Sequence, residues 1–167
     1  MGGMSDSLPL QPASSGAGPL LERRYWIEFR SRKAPEAIMR FVQGHLADFC
    51  PRLLANFSKE EGREGVMRPG DEYHIHIFGP WNGDVRVLEV GPTFFRLGTL
   101  QGHPEAGEIT FSLWAKAPDT LHFEIRSLAR MRDPLVAAAY LVLGLGVRRR
   151  LGASSAAGCA CSQVAKP

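Results

Sequence analysis

His103, Glu105 and Glu108 lie within six residues of one another in "LGTLQGHPEAGEITF", residues 97–111. A histidine beside a carboxylate is the usual composition of a general base, the carboxylate fixing the ring tautomer. Such assistance is worth about 10²–10⁴-fold in rate. The same three residues, spaced H-x-E-x-x-E, also count as three potential metal ligands. The surrounding residues favour something plainer. Pro104 restrains His103 to extended backbone, and Gly102 and Gly107 free the chain on either side. A connection between two strands, with carboxylates accepting local N–H groups, accounts for the whole pattern. Turn geometry does not converge the three ligands, so no metal is expected. His103, Glu105 and Glu108 are therefore catalytic candidates only if the chain is an enzyme.

The other histidines carry weaker signals. His74 and His76 form the H-x-H of "HIHIF", but no glutamate follows to complete a cupin-like metal site. Both fall on the outward side of their strand, and His122 is placed likewise. His45 sits on the apolar stripe of a helix and reads as a histidine at the core edge. Arg126, Arg130, Arg132, Arg148, Arg149 and Arg150 cluster late in the chain. They could attract an acidic headgroup, a phosphate or RNA. No RNA-binding signature accompanies them, and helix-end solvation with pairing to sheet carboxylates is the simpler role.

The elements that must position these residues follow from hydrophobic period. In "RRYWIEFRS", Tyr25, Ile27 and Phe29 share one face and Trp26, Glu28 and Arg30 the other, as in a half-buried strand. "APEAIMRFVQGHLADF" changes to helical spacing, with Pro35 in the first turn and Pro51 beyond the end. "PRLLANFSKEE" is a candidate for a second short helix, so one or two helices are expected after the first strand. Five strands then follow: "DEYHIHIF", "GDVRVLEV", "TFFRLGTL", "GEITFSLWAK" and "TLHFEIRSL". Turn dipeptides separate them, and short connections imply an antiparallel meander. Asn82–Gly83 predicts a tight hairpin turn, with Trp81 beside it as a packing anchor or at a cavity entrance. Tyr73, Ile75, Ile109, Phe111, Leu113, Leu121, Phe123 and Ile125 face inward. The final element is "DPLVAAAYLVLGLGVRRRLG", a long apolar helix capped by Asp133 and closed by Gly152. Its small residues leave room for close packing or for a ligand.

The chain has 167 residues, 44% of them hydrophobic, and a net charge of +3. One globular domain is expected, with no demand for a nucleic-acid or membrane partner. Residues 1–19 and 152–167 lack hydrophobic period and read as flexible arms around a folded unit at 20–151. The apolar run 134–147 is shorter than the roughly 20 residues that span a bilayer. Neither a secretory signal nor a lipidation motif is apparent. Three cysteines give no disulfide framework, so a cytoplasmic setting is expected.

The order strand, one or two helices, meander, long helix predicts an α+β helix-grip fold: a curved antiparallel sheet wrapped around the C-terminal helix. "PGDEYHIHIFGPWNGDVRV", "LGTLQGHPEAGEITFSL", "FEIRSLARMRDPLV" and the Tyr140 that follows resemble the DUF1990 family. That family is similar to the START/polyketide-cyclase-like (SRPBCC, Bet v 1-like) superfamily. The resemblance covers roughly residues 20–150 and implies an apolar cavity between sheet and helix, without implying a reaction. The expected function is binding of a small hydrophobic or lipid-like molecule by Tyr73, Ile75, Trp81, Phe95, His103, Phe111, Phe123 and Tyr140. No cofactor or metal is called for. A cyclase-, isomerase- or hydrolase-type enzyme using His103, or an interaction protein using the arginine-rich helix ends, rank behind it.

Overall fold

A computed structural model describes residues 7–46, 55–61, 65–77 and 82–132. Seven strands form one antiparallel sheet: β1 (Ala17–Arg30), β2 (Ala55–Glu61), β3 (Glu72–Ile77), β4 (Asn82–Val90), β5 (Phe94–Thr99), β6 (Glu105–Ala117) and β7 (Thr120–Met131). Their spatial order is β1-β7-β6-β5-β4-β3-β2. The expected meander is present from β3 to β7, and β1 returns to pair with β7 along the whole of Leu21–Arg30. The antiparallel curved sheet with a helix is thus confirmed. The long helix expected from residue 133 onward, with Tyr140 and Arg148–Arg150, lies outside the described residues, as does Trp81.

The alternation that predicted β1 and β3 to β7 also builds the inner face. Phe95 pairs with Phe111, Phe111 with Ile125, and Ile125 with Tyr25, so one row crosses four strands. Helix α1 (Pro35–Gly44) covers part of this face with Ile38, Met39 and Val42. Pro35 occupies its first turn as expected. Met39 and Phe95 are completely buried, and Leu97, Leu113, Val85 and Val87 nearly so. Gln43 fixes the helix laterally, its Nε2 donating to the carbonyls of Gly91 at 2.9 Å and Phe94 at 3.2 Å across the β4–β5 turn.

Four expectations change. The second helix expected over "PRLLANFSKEE" gives way, over Ala55–Glu61, to strand β2. A short helix there would face a high nucleation cost, whereas the strand satisfies its backbone on β3, with Phe57 opposite Ile75. His45 is not at the core edge: it ends α1 exposed, its ring stacked on Phe41 at 4.3 Å. Asn82 and Gly83 do not form the hairpin turn but belong to β4, opposite His76 and Ile75. Finally, residues 7–19 are not a loose arm. Leu10 bridges to Leu100, a short 3₁₀ turn forms at Ala13–Ser15, and β1 begins at Ala17.

Candidate functional site

The β5–β6 connection holds the three residues singled out for chemistry. β5 ends at Thr99 and β6 starts at Glu105, leaving five residues to reverse the chain. Gly102 adopts φ 100°, a conformation that a side chain resists, and the His103 N–H donates to the Leu100 carbonyl at 3.0 Å. Pro104 holds the approach to β6 extended. Glu105 and Glu108 consequently belong to β6 and not to the loop, Glu108 lying opposite Gly98.

The His103 ring is turned inward and buried, with only 6% of the residue exposed. It lies on Gly83, where an added Cβ would come within 2.1 Å of its Cδ2. This close approach explains the glycine that the sequence alone suggested for a turn. The ring Nδ1 is 2.9 Å from the Glu105 carbonyl oxygen and 3.0 Å from the Glu105 N–H. Either neutral tautomer therefore finds a partner: Nδ1–H donates to the carbonyl, or bare Nδ1 accepts from the amide. Burial pushes the His103 pKa below the ordinary 6.5, outweighing the Glu105 carbonyl and the nearby Glu105 and Asp84 charges, which act upward.

The N-terminal segment completes the structure. Gln11 N–H donates to the Thr99 carbonyl at 2.7 Å, and the Gln101 N–H to the Pro9 carbonyl at 2.9 Å. The buried Gln11 side chain then enters the turn. Its Nε2 donates to the His103 and Glu105 carbonyls at 3.0 and 3.2 Å, while its Oε1 accepts from the Gly102 N–H at 3.3 Å. The Thr99 hydroxyl accepts from the Gly107 N–H and donates to the Gln11 carbonyl, each at 3.0 Å. Arg132 closes the far side, its N–H donating to the Pro104 carbonyl and its guanidinium to the Gly102 carbonyl, both at 2.9 Å.

The two carboxylates point elsewhere. Glu105 pairs with Arg23 of β1 at 2.9 Å, and Glu108 with Arg96 of β5 at 3.4 Å. Among the described residues the hydrogen-bond partner of the His103 ring is the Glu105 backbone and not a carboxylate. Among the described residues no group of three His, Cys, Asp or Glu side chains converges as metal ligands would. The arrangement holds a turn and the N-terminal segment together.

The remaining expected ligand-binding residues divide sharply. Tyr73, Ile75, Phe95 and Phe111 are buried in the core, and Phe123 is packed partly exposed against it. Phe95 and Phe111 stack at 4.4 Å between ring centroids, with Phe123 6.5 Å from Phe111. Burial lifts the Tyr73 hydroxyl to a pKa of about 12, with the Asp71 charge adding to the shift. His103 stands apart from this aromatic group. A surface depression of about 450 Å³ lies at the opposite end of β6, between Ser31–Pro35 and Ala115–Asp119. Gln11, Thr99 and Arg23 had no motif to announce them. Gln11 in particular sits in a stretch without period, and only its partners give it meaning.

On the outer face, His74 forms a cross-strand pair with Asp84, and His122 lies between Trp26 and Trp114. Arg126 bonds Glu22 at 2.8 Å and Arg130 the Gly18 carbonyl at 2.5 Å. Of the described arginines in this group, Arg126 and Arg130 are engaged by β1 and Arg132 by the β5–β6 connection, while His74 and His122 are engaged by neighbouring strands.

Comparison with known proteins agrees with this architecture. Residues 59–157 match the family model DUF1990, a domain of unknown function, and the chain belongs to that family. No curated protein matches it. Among solved structures, a hypothetical protein from Helicobacter pylori superposes with a TM-score of 0.53 at 9% identity, covering 78% of this chain and 81% of its own. A solution structure from Thermobifida fusca gives 0.51 at 12% identity, covering 76% and 85%. Norcoclaurine synthase from Thalictrum flavum gives 0.50 at 10% identity, covering 74% and 78%. At such identities the likeness is one of fold.

Proposed function

We propose that this DUF1990 member is a binding module for a small apolar molecule, held against the inner face of the sheet. One observation carries the reading: α1 covers only part of an apolar face, and Ile109, Phe123 and Ile125 remain partly exposed beside the core. Phe123 and Ile125 are successive inward positions of β7, and Ile109, opposite Ser127, is the diagonal neighbour of Ile125 on β6. An apolar ligand there would cover hydrocarbon surface at about 25 cal/mol per Å² removed from water. The apolar sequence at 134–147 supplies the expected other wall. The likeness in fold to norcoclaurine synthase supports a binding role for such a face, though not that enzyme's chemistry. His103, Glu105 and Glu108 have turn-holding roles in this reading, because each has a separate partner.

Native mass spectrometry of the purified chain, compared with its denatured mass, tests for a retained molecule. Titration with the fluorescent apolar dye anilinonaphthalene sulfonate tests the face itself. Ile125→Trp, which enlarges the side chain next to Phe123 on the inner face, should weaken dye binding about tenfold, about 1.4 kcal/mol, while the protein stays folded. Unchanged dye affinity, with no retained mass in the wild type, would sink the proposal.

A further inference from the structure

β1 is an edge strand whose exposed side chains remain to be explained. Among the described strands it pairs with β7 alone. From Leu21 to Arg30 its register is unbroken, with no bulge, proline or lysine to discourage another strand from adding on. Tyr25 and Trp26, at its middle, are 61% and 60% exposed. Trp26 begins a stack that runs inward along the outer face: its ring lies 5.4 Å from His122, which lies 4.3 Å from Trp114. Two large aromatic residues at the centre of a ten-residue edge that no other described strand covers mark a surface built for contact.

The sequence of that edge is self-complementary. We propose that β1 pairs antiparallel with β1 of a second copy about a two-fold axis at Trp26, joining the two sheets into one. In that register Arg24 lies opposite Glu28 of the second copy, Glu22 opposite Arg30, and Tyr25 opposite Ile27. Each pair occurs twice by symmetry, as an isologous interface requires. Directly opposed residues point to the same face, so the inner faces of the two sheets continue into each other. The two Trp26 rings meet on the outer face and join both Trp114–His122–Trp26 stacks. Neighbouring registers that preserve the faces are excluded by charge. Shifting the two-fold to Tyr25 opposes Glu22 to Glu28, and shifting it to Ile27 opposes Arg24 to Arg30. Like charges directly opposed destabilise a strand pair.

Sedimentation equilibrium on the full chain, over a wide concentration range, is the first experiment. A monomer–dimer equilibrium is expected. Arg30→Glu, which opposes carboxylate to carboxylate at both symmetric positions, should raise the dissociation constant about tenfold or more. Adding Glu22→Arg to the same chain should restore it to within about threefold of wild type, with circular dichroism unchanged throughout. The register has its own test in a background of Cys50→Ser, Cys159→Ser and Cys161→Ser. Chains carrying Arg24→Cys, mixed with chains carrying Glu28→Cys, should form an oxidised heterodimer, while neither crosslinks with itself. A wild-type monomer at every concentration overturns the proposal. So does a dimer indifferent to the charge reversal, or one that crosslinks through Arg24→Cys alone.

Discussion

The β5–β6 turn and the β1 edge place similar residue types in opposite circumstances. At the turn, His103 is buried and Gln11, Thr99, Glu105 and Glu108 all have close partners. At the edge, His122 is held between tryptophans while Trp26 and Tyr25 stay largely exposed. The first region has the composition of an active site and the connectivity of a structural joint. The second has the composition of an ordinary strand and the exposure of an interface. Residue type alone therefore misdirects, and the partner list decides.

Substitutions should separate the two regions by the size of their effect. The largest belongs to Gly107, where an added Cβ would approach the Leu128 carbonyl to 2.2 Å and the Ala129 Cα to 2.6 Å. Backbone cannot swing aside as a side chain can. Gly107→Ala should cost about 3 kcal/mol or more in urea-unfolding stability. A cost below about 1 kcal/mol would mean that β6 and β7 separate there easily, contrary to a tight joint.

Gln11→Ala comes next. It leaves the His103 and Glu105 carbonyls and the Gly102 N–H without their side-chain partner in a largely buried setting. A loss of about 2 kcal/mol is expected, accompanied by faster hydrogen exchange at Gly102 and by cleavage of the N-terminal segment by protease at lower enzyme concentration. Unchanged protection at Gly102 would show that the segment is not part of the joint.

His103 adds a pH dependence of definite sign. Its pKa is lowered in the folded state from the ordinary 6.5, so the unfolded chain binds the proton more readily. The neutral ring thus contributes stability that is fully present above about pH 6.5 and is lost as pH falls through the folded-state value. Wild-type stability should decline over that window more steeply than that of His103→Gln. Equal slopes would mean that the ring ionises freely and is not buried in solution.

How much of this was legible beforehand follows from which forces act locally. Strands β1 and β3 to β7 declared themselves because one buried face imposes a period of two on the sequence. Pro35 likewise marked the start of α1. β2 did not, since residues 55–61 gain their backbone partners from β3, more than ten residues away. Asn82–Gly83 carried the correct signal for a glycine and the wrong cause: the requirement comes from the His103 ring, 20 positions along the chain. Gln11 was invisible for the same reason, its partners lying about 90 residues away. "GHPEAGE" was readable as a turn through its own glycines and proline, but the segment that locks it was not.

The smallest effect should come from the outer face of β1. Arg126 and Glu22 are joined at 2.8 Å, yet their side chains are 49% and 44% exposed. Water competes for both charges, and exposed pairs of this kind contribute less than about 1 kcal/mol. Arg126→Ala should therefore leave the stability of monomeric protein nearly unchanged, well below the cost of Gln11→Ala measured under the same conditions. The prediction is sharpest with Arg30→Glu as the common background, because self-association would otherwise add the stability of the interface to that of the fold. A cost in that background matching Gln11→Ala would erase the contrast. The outer face would then be a joint like the turn, with stability resting on its charges and not only on the ladder beneath them.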